Sequence, residues 1–277
     1  MKNFIIYNLQ KPHKIPFKIL KKIFFLYQKS KYKFEDFENE QNERFKNLNF
    51  DRIEGKKKLD FIKKKNSFLV REMSSEHELL FSSISLSKKN QIKKILEIGT
   101  FDGANAFLLS VLFKDSKIET IDLKSDENDF QNFYNRKNNL EKFINERNNL
   151  LKKSDSIKFE ELNSVKLTFH KEKYDLIWID GAHGYPVCCI DIVNSLKLLN
   201  REGMIMIDDV CLKSNNSDKM YTSIAAFETL KELEKNNIIK FNLIYKRLDA
   251  DSNCIKENIK YVALVKKIYT GTIVDIA

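Results

Sequence analysis

The stretch Tyr174 to Val210, YDLIWIDGAHGYPVCCIDIVNSLKLLNREGMIMIDDV, allows few folds. Leu176–Ile179 and Met204–Ile207 are apolar without alternation, the pattern of strands covered on both faces. Each run ends in acid: Asp180 after the first, Asp208 and Asp209 after the second. Between them Ile190–Leu199 has helical spacing, and Gly203 closes the turn into the second strand. This strand–helix–strand unit predicts an α/β fold around a mostly parallel sheet, with its carboxylates at the strand ends where such sheets bind ligands. His183 follows Asp180 by three residues, in a loop opened by Gly181 and Gly184. Three carboxylates and an imidazole on one sheet edge read as a site, with a divalent metal as its expected occupant.

A chain of 277 residues, 42% hydrophobic and 12% aromatic, can bury a full core. No apolar run approaches the ~20 residues that cross a bilayer, and the N-terminus lacks the apolar core and cleavage site of a signal peptide. Cys188, Cys189, Cys211 and Cys254 have neither paired spacing nor histidines placed for zinc. The expectation is a reduced, cytoplasmic protein with Cys188 and Cys189 as buried thiols on a helix. The net charge of +10 is concentrated at the start: residues 1–34 hold nine lysines and no acid. The rest is near neutral, which argues against a nucleic-acid substrate.

Pro16–Phe34 is a predicted helix, with Phe17, Leu20 and Phe24 on one face and Lys18, Lys21, Lys22 and Lys29 mostly elsewhere. Such a helix packs on its own domain or on a second subunit, or it lies across residues 14–34 on an anionic membrane or acidic ligand. Residues 35–65 read as helical with breaks near Asn47–Asn49 and Gly55, burying Phe45, Phe50, Ile53, Leu59, Phe61 and Ile62. Residues 1–72 therefore form a basic helical extension or cap, and 73–277 the main domain. Ser75–Glu78 has the pattern of a capping box and opens a helix through Leu86. Strands follow at Ile95–Ile98, Ile118–Ile121 and Ile157–Leu162, with a helix at about Ala104–Phe113 and a long helical connection over 124–155. Met220–Leu233 is helical, and Phe241–Arg247 with Tyr261–Lys267 closes the sheet. Five of only seven glycines fall at turns of this sheet, Gly55 and Gly271 being the others. His13, His77 and His170 lie outside any constellation and read as surface or capping residues.

The loop Glu97-Ile98-Gly99-Thr100-Phe101-Asp102-Gly103 follows a strand and opens a helix. It is not the glycine fingerprint that seats a pyrophosphate; it suits an amino-acid carboxylate and a nucleoside. Asp122, ending the next strand, is placed to accept hydrogen bonds from two ribose hydroxyls. With these residues the region from about Ser74 to Lys267 resembles a class I S-adenosylmethionine-dependent methyltransferase. Asp180-Gly181-Ala182-His183 followed by Asp208-Asp209 resembles the metal-dependent O-methyltransferases, in the branch of macrolide-sugar methyltransferases and cephalosporin hydroxylase-like proteins.

The resemblance covers about two-thirds of the chain and implies a Rossmann-like, seven-stranded sheet with an antiparallel C-terminal hairpin. It implies that Gly99, Thr100, Phe101 and Gly103 form the cofactor loop, with Asn105 near the methionine carboxylate. Asp122 would hold the ribose, Asn163 or Ser164 would flank the adenine, and Asp180 would adjoin the cofactor. Asp180, Asp208 and Asp209 would ligate the metal, Mg²⁺ being the expected ion, and His183 would be the base. Two departures are Asp208, where the sugar branch often carries glutamate, and the absence of a glycine in Leu162-Asn163-Ser164. The implied activity is methylation of a hydroxyl on a small polar substrate, a sugar or sugar precursor, which the basic arm suggests is anionic. Two other readings stay open: a hydroxylase-like relative with different chemistry, and a non-catalytic scaffold that keeps the fold.

Overall fold

Seven strands form one sheet in the order β3-β2-β1-β4-β5-β7-β6. They are β1 (Lys94–Ile98), β2 (Lys117–Asp122), β3 (Ile157–Glu161), β4 (Tyr174–Ile179), β5 (Leu199–Cys211), β6 (Ile239–Tyr245) and β7 (Lys260–Lys267). Pairing is parallel from β3 through β5, and β7 runs antiparallel to both β5 and β6. In this computed structural model, residues 15–69, 75–88, 90–132, 139–213 and 224–269 are described, with side chains from residue 19 onward. The arm before residue 15, the start of the predicted 220–233 helix and Gly271 lie outside them.

The unbroken apolar runs follow from cover on both faces. Leu176 and Trp178 of β4 join a core with Met204, Met206, Ile95 and Ile118, while Ile177 and Ile179 face the opposite core with Ile205, Ile207 and Leu96. Helices α5 (Ala104–Leu112) and α7 (Leu140–Leu151) contribute to the first core, and α8 (Val187–Leu198) and α9 (Ile224–Lys235) to the second. The long connection also holds the short α6 (Asn128–Asn132), and α10 (Ala250–Asn253) lies between β6 and β7.

Among the described residues four α-helices precede the sheet: α1 (Ile15–Ser30), α2 (Phe34–Asn47), α3 (Arg52–Lys65) and α4 (Glu76–Ser87). The first core includes Phe45, Phe50, Leu59 and Ile62, so α2 and α3 are built into the fold. Ile53 and Phe61, predicted to be buried, are 59% and 58% exposed on the outer side of α3. Gly55 does not break that helix. A Cβ there would lie 2.1 Å from Ser83 Oγ, so glycine serves close packing of α3 on α4. Gln41 closes the edge strand by bonding the Tyr245 backbone with both ends of its amide. Arg52 grips Glu76 through two hydrogen bonds, at 2.7 and 2.9 Å.

Helix α4 begins where the capping box predicts, yet the box does not form. Ser75 makes no side-chain cap bond; its hydroxyl meets His77 Nδ1 at 2.7 Å, and Glu78 pairs with Lys63 at 2.5 Å. The arm helix α1 also departs from its simplest reading. Ile19, Leu20, Ile23, Phe24, Leu26 and Tyr27 are all at least half exposed, so α1 does not bury its apolar face on its own domain. Its C-terminal end is tied down by Lys29 to Asp251 and by the Tyr32 hydroxyl to the Leu248 carbonyl.

Candidate active site

The strand order reverses between β1 and β4, where an open parallel sheet leaves its ligand crevice. Asp180 N–H donates to the Ile98 carbonyl at 2.9 Å, and Gly99 N–H to that of Ile121. Gly99 has φ +100°, and a Cβ there would stand 2.3 Å from the Asp180 carbonyl oxygen. Only glycine fits so close a crossing. Gly103 takes φ +78° as it enters α5, with Leu151 filling the space a side chain would need. Phe101 also has a positive φ, of 50°, and its N–H donates to Asp122 Oδ2 at 2.9 Å. The other Asp122 oxygen accepts from Leu123 N–H at 2.8 Å. Two backbone donors thus fix this carboxylate at the end of β2.

Glu97 organises the loop from beneath. It is fully buried and accepts hydrogen bonds from Thr120 Oγ1 and Asn105 Nδ2; burial raises its carboxyl to about 7. Thr100 is turned inward on Thr120 at 2.7 Å, so its hydroxyl supports the loop rather than facing the crevice. Because Asn105 gives its amide nitrogen to Glu97, its buried Oδ1 is left without a partner. That orphan is an acceptor, and it matches the ammonium of a methionine moiety better than the carboxylate expected there. Asp122, Gly99 and this oxygen fit an S-adenosylmethionine-like ligand. Ser164 opens a short 3-10 turn after β3, capped by Asn163 through Val165 N–H.

The acidic half lies at the ends of β4 and β5. Adjacent strand residues point to opposite faces, but the β5–β7 register shifts between Ile207 and Val210, and Asp209 takes φ +55°. This irregularity turns Asp208 and Asp209 toward one cation. That cation is Lys246, just past β6, whose ammonium donates to Asp208 Oδ2 and Asp209 Oδ1, each at 2.6 Å. Lys260 lies 3.2 Å from the same Asp209 oxygen. Burial pushes the Asp208 carboxyl upward, but Lys246 and then His77 outweigh it and hold it at about 2. Burial and the neighbouring Asp208 raise Asp180; its side chain is 36% exposed, so water softens that push.

His183 Nε2 stands 3.6 Å from Asp209 Oδ2 and 3.8 Å from Asp180 Oδ1, too far for direct hydrogen bonds. Burial lowers its pKa, against the pull of Asp209 and Asp208, and favours a neutral imidazole. The loop carrying it includes a cis Tyr185–Pro186 peptide.

The sequence leads to the expectation of a divalent ion among these donors. The Asp208 Oδ1 orphan and the like-charge push of Asp208 on Asp180 invite an ion. Against it, Asp208 and Asp209 already bracket an ammonium, and a second ammonium adjoins Asp209. A divalent ion between these carboxylates would sit against two like charges. Among the described residues no group of three acidic, histidine or cysteine side chains is arranged to hold a metal. The side chains as arranged do not fit the ion.

Four residues here lay outside the sequence reading. Lys246 and Lys260 had no motif. His77, read as a surface or capping residue, packs on Trp178 with ring centroids 4.8 Å apart and is near enough to Asp208 to lower its pKa. Asp191 of α8 is fully buried beneath Gly181. Burial raises its carboxyl to about 6, eased by Ser164 nearby, while neither oxygen makes a hydrogen bond of normal geometry.

Residues 96–210 match a family model described as a methyltransferase domain. No curated protein matches the chain. Among solved structures it is similar to the methyltransferase PaMTH1 of Podospora anserina, bound to S-adenosylhomocysteine. That likeness has 19% identity over 71% of this chain and 80% of that one, at a TM-score of 0.48. The O-methyltransferase TomG of Streptomyces achromogenes, involved in tomaymycin synthesis, gives 15% identity over 66% and 77%, at 0.47. The N-methyltransferase NodS of Bradyrhizobium japonicum gives 14% over 69% and 94%, also at 0.47. Likenesses this distant carry no weight on the methyl acceptor. The matched segment runs from β1 to the acidic end of β5, the same stretch whose residues resemble the class I methyltransferases.

Proposed function

We propose that this protein transfers a methyl group from S-adenosylmethionine to a hydroxyl of a small polar acceptor, a sugar or sugar precursor, in the cytoplasm. The observation that carries the reading is His183: a mostly buried imidazole, neutral by its surroundings, in the loop after β4, three residues past the Asp180 whose backbone crosses the Gly99 turn. Asp122 would bind the ribose and Asn105 Oδ1 the methionine ammonium. The cofactor supplies a sulfonium methyl that leaves a neutral thioether behind. An alcohol is a poor nucleophile at neutral pH, so its proton must go to a base as the new C–O bond forms. His183 Nε2 is that base, with Asp180 and Asp209 near enough to stabilise the imidazolium. Lys246, Arg247, Asp251 and Lys260 line a small pocket beside this point, and the basic arm supports an acceptor bearing negative charge. Incubating the protein with methyl-labelled S-adenosylmethionine and a panel of nucleotide-linked sugars tests the reading. Label should appear as an alkali-stable O-methyl ether, whereas label only on amines or thiols would contradict it.

The arm belongs to the same proposal. Helix α1 carries exposed apolar residues on one arc and Lys21, Lys22 and Lys29 on another, with no acid. This supports docking on an anionic membrane surface near the acceptor, the alternative being a second copy of the chain. No helix among the described residues is long and apolar enough to cross a membrane. Phe24→Glu in the full chain should abolish co-sedimentation with phosphatidylserine vesicles. A halved size in chromatography with vesicle binding unchanged would instead make the face a dimer contact.

A further inference from the structure

The disagreement between the acidic cluster and the expected metal goes beyond one side chain's position. Lys246 is fixed at both ends. Its backbone N–H donates to the Lys260 carbonyl and its carbonyl accepts from Glu76 N–H, both at 2.9 Å. The first bond ties it to β7, and the second to the start of α4. From that anchor the side chain, 10% exposed, reaches across to β5. There it meets two carboxylates that are 3% and 7% exposed. A buried ammonium is costly unless matched by close counter-charges, and here two are supplied by a strand irregularity that places a non-glycine residue at φ +55°. Lys260 adds a second positive charge from the neighbouring strand position. Three carboxylates, Asp180, Asp208 and Asp209, are thus faced by two ammonium groups.

We propose that Lys246 is the built-in cation of this site: it occupies the place between Asp208 and Asp209 that a divalent ion would take, and the protein works without a bound metal. The inference rests on the methyltransferase reading above only for what the site does, not for how its charges are arranged. In this role Lys246 is a positioning residue. It holds Asp209 at the distance from His183 where the carboxylate can stabilise the imidazolium without capturing Nε2.

The test is Mn²⁺ binding, followed by loss of the free-ion electron paramagnetic resonance signal in the full chain, the Lys246→Met variant and the Lys246→Arg variant. Wild type and Lys246→Arg keep the positive charge and should show no saturable binding up to about 1 mM. Lys246→Met, close in volume but uncharged, should gain one site per chain, at least about tenfold tighter than any wild-type binding. That gain should vanish in the Lys246→Met/Asp209→Asn double variant; a purely structural lysine would not produce it. One Mn²⁺ per wild-type chain, lost in Asp209→Asn, overturns the proposal, as does a folded Lys246→Met that gains no site. If Lys246→Met does not fold, the wild-type and Lys246→Arg titrations decide. Calorimetry with S-adenosylhomocysteine on the same samples separates the two readings: no binding beside a Mn²⁺-silent wild type counts against the methyltransferase function alone.

Discussion

The two halves of the crevice are held by different forces. Around β1 and β2 the site is a matter of backbone shape: Gly99, Phe101 and Gly103 at positive φ, with Asp122 fixed by two N–H donors. These parts lie within about two turns of chain or on neighbouring strands, and few charges are involved. Around β4, β5 and β6 the site is a matter of charge. Asp180, His183, Asp208, Asp209, Lys246 and Lys260 come from four separate segments, held by ion pairs and by one strained residue. The difference implies that cofactor binding and turnover can be broken separately.

The largest expected effect is on turnover. His183→Ala should lower kcat by about 10²–10⁴-fold, the usual worth of a general base, while S-adenosylhomocysteine affinity stays within about twofold. Because burial lowers the His183 pKa, wild-type kcat should fall only in acid, below about 6.5. The variant should instead keep rising into alkali as the acceptor hydroxyl ionises unaided. Unchanged turnover would move the base elsewhere, and lost cofactor binding would erase the separation between the halves.

A smaller effect belongs to Asp191, which sits under Gly181 where the halves meet. Its folded-state pKa is raised to about 6 by burial. The folded protein therefore holds a proton there that the unfolded chain releases near 3.9. Stability falls as pH rises through that window, and the cost is constant above it. Asp191→Asn removes this titration. Denaturant unfolding should show wild type losing roughly 2 kcal/mol relative to the variant between pH 4 and pH 7. Parallel pH curves would mean that water or Ser164 satisfies the carboxylate.

The same contrast explains what could be read from the sequence. The half proposed to hold the cofactor was legible because its determinants are local: the end of a strand, a glycine turn and the start of a helix in nine residues, then an acid ending the next strand. The seven-stranded sheet with its antiparallel end followed from the apolar runs and the resemblance, with strand ends off by at most five residues. The three acids and His183 were legible too, but not what neutralises them. Lys246 is thirty-seven positions past Asp209, in a run that reads only as the end of a strand, and nothing local distinguishes it among so many lysines. His77 was missed because its packing on Trp178 joins segments about a hundred residues apart. Ile53 and Phe61 were assigned to the core by hydrophobicity alone, although α3 turns them outward.

The measurement that tests the central claim most directly is calorimetric titration of the full chain with S-adenosylmethionine and with its demethylated product. Both should bind at one per chain, and Asp122→Ala should weaken each by about 1.5–3 kcal/mol, the worth of hydrogen bonds to a charged acceptor. Tight binding of NAD with no response to either methyl-donor species would contradict the account.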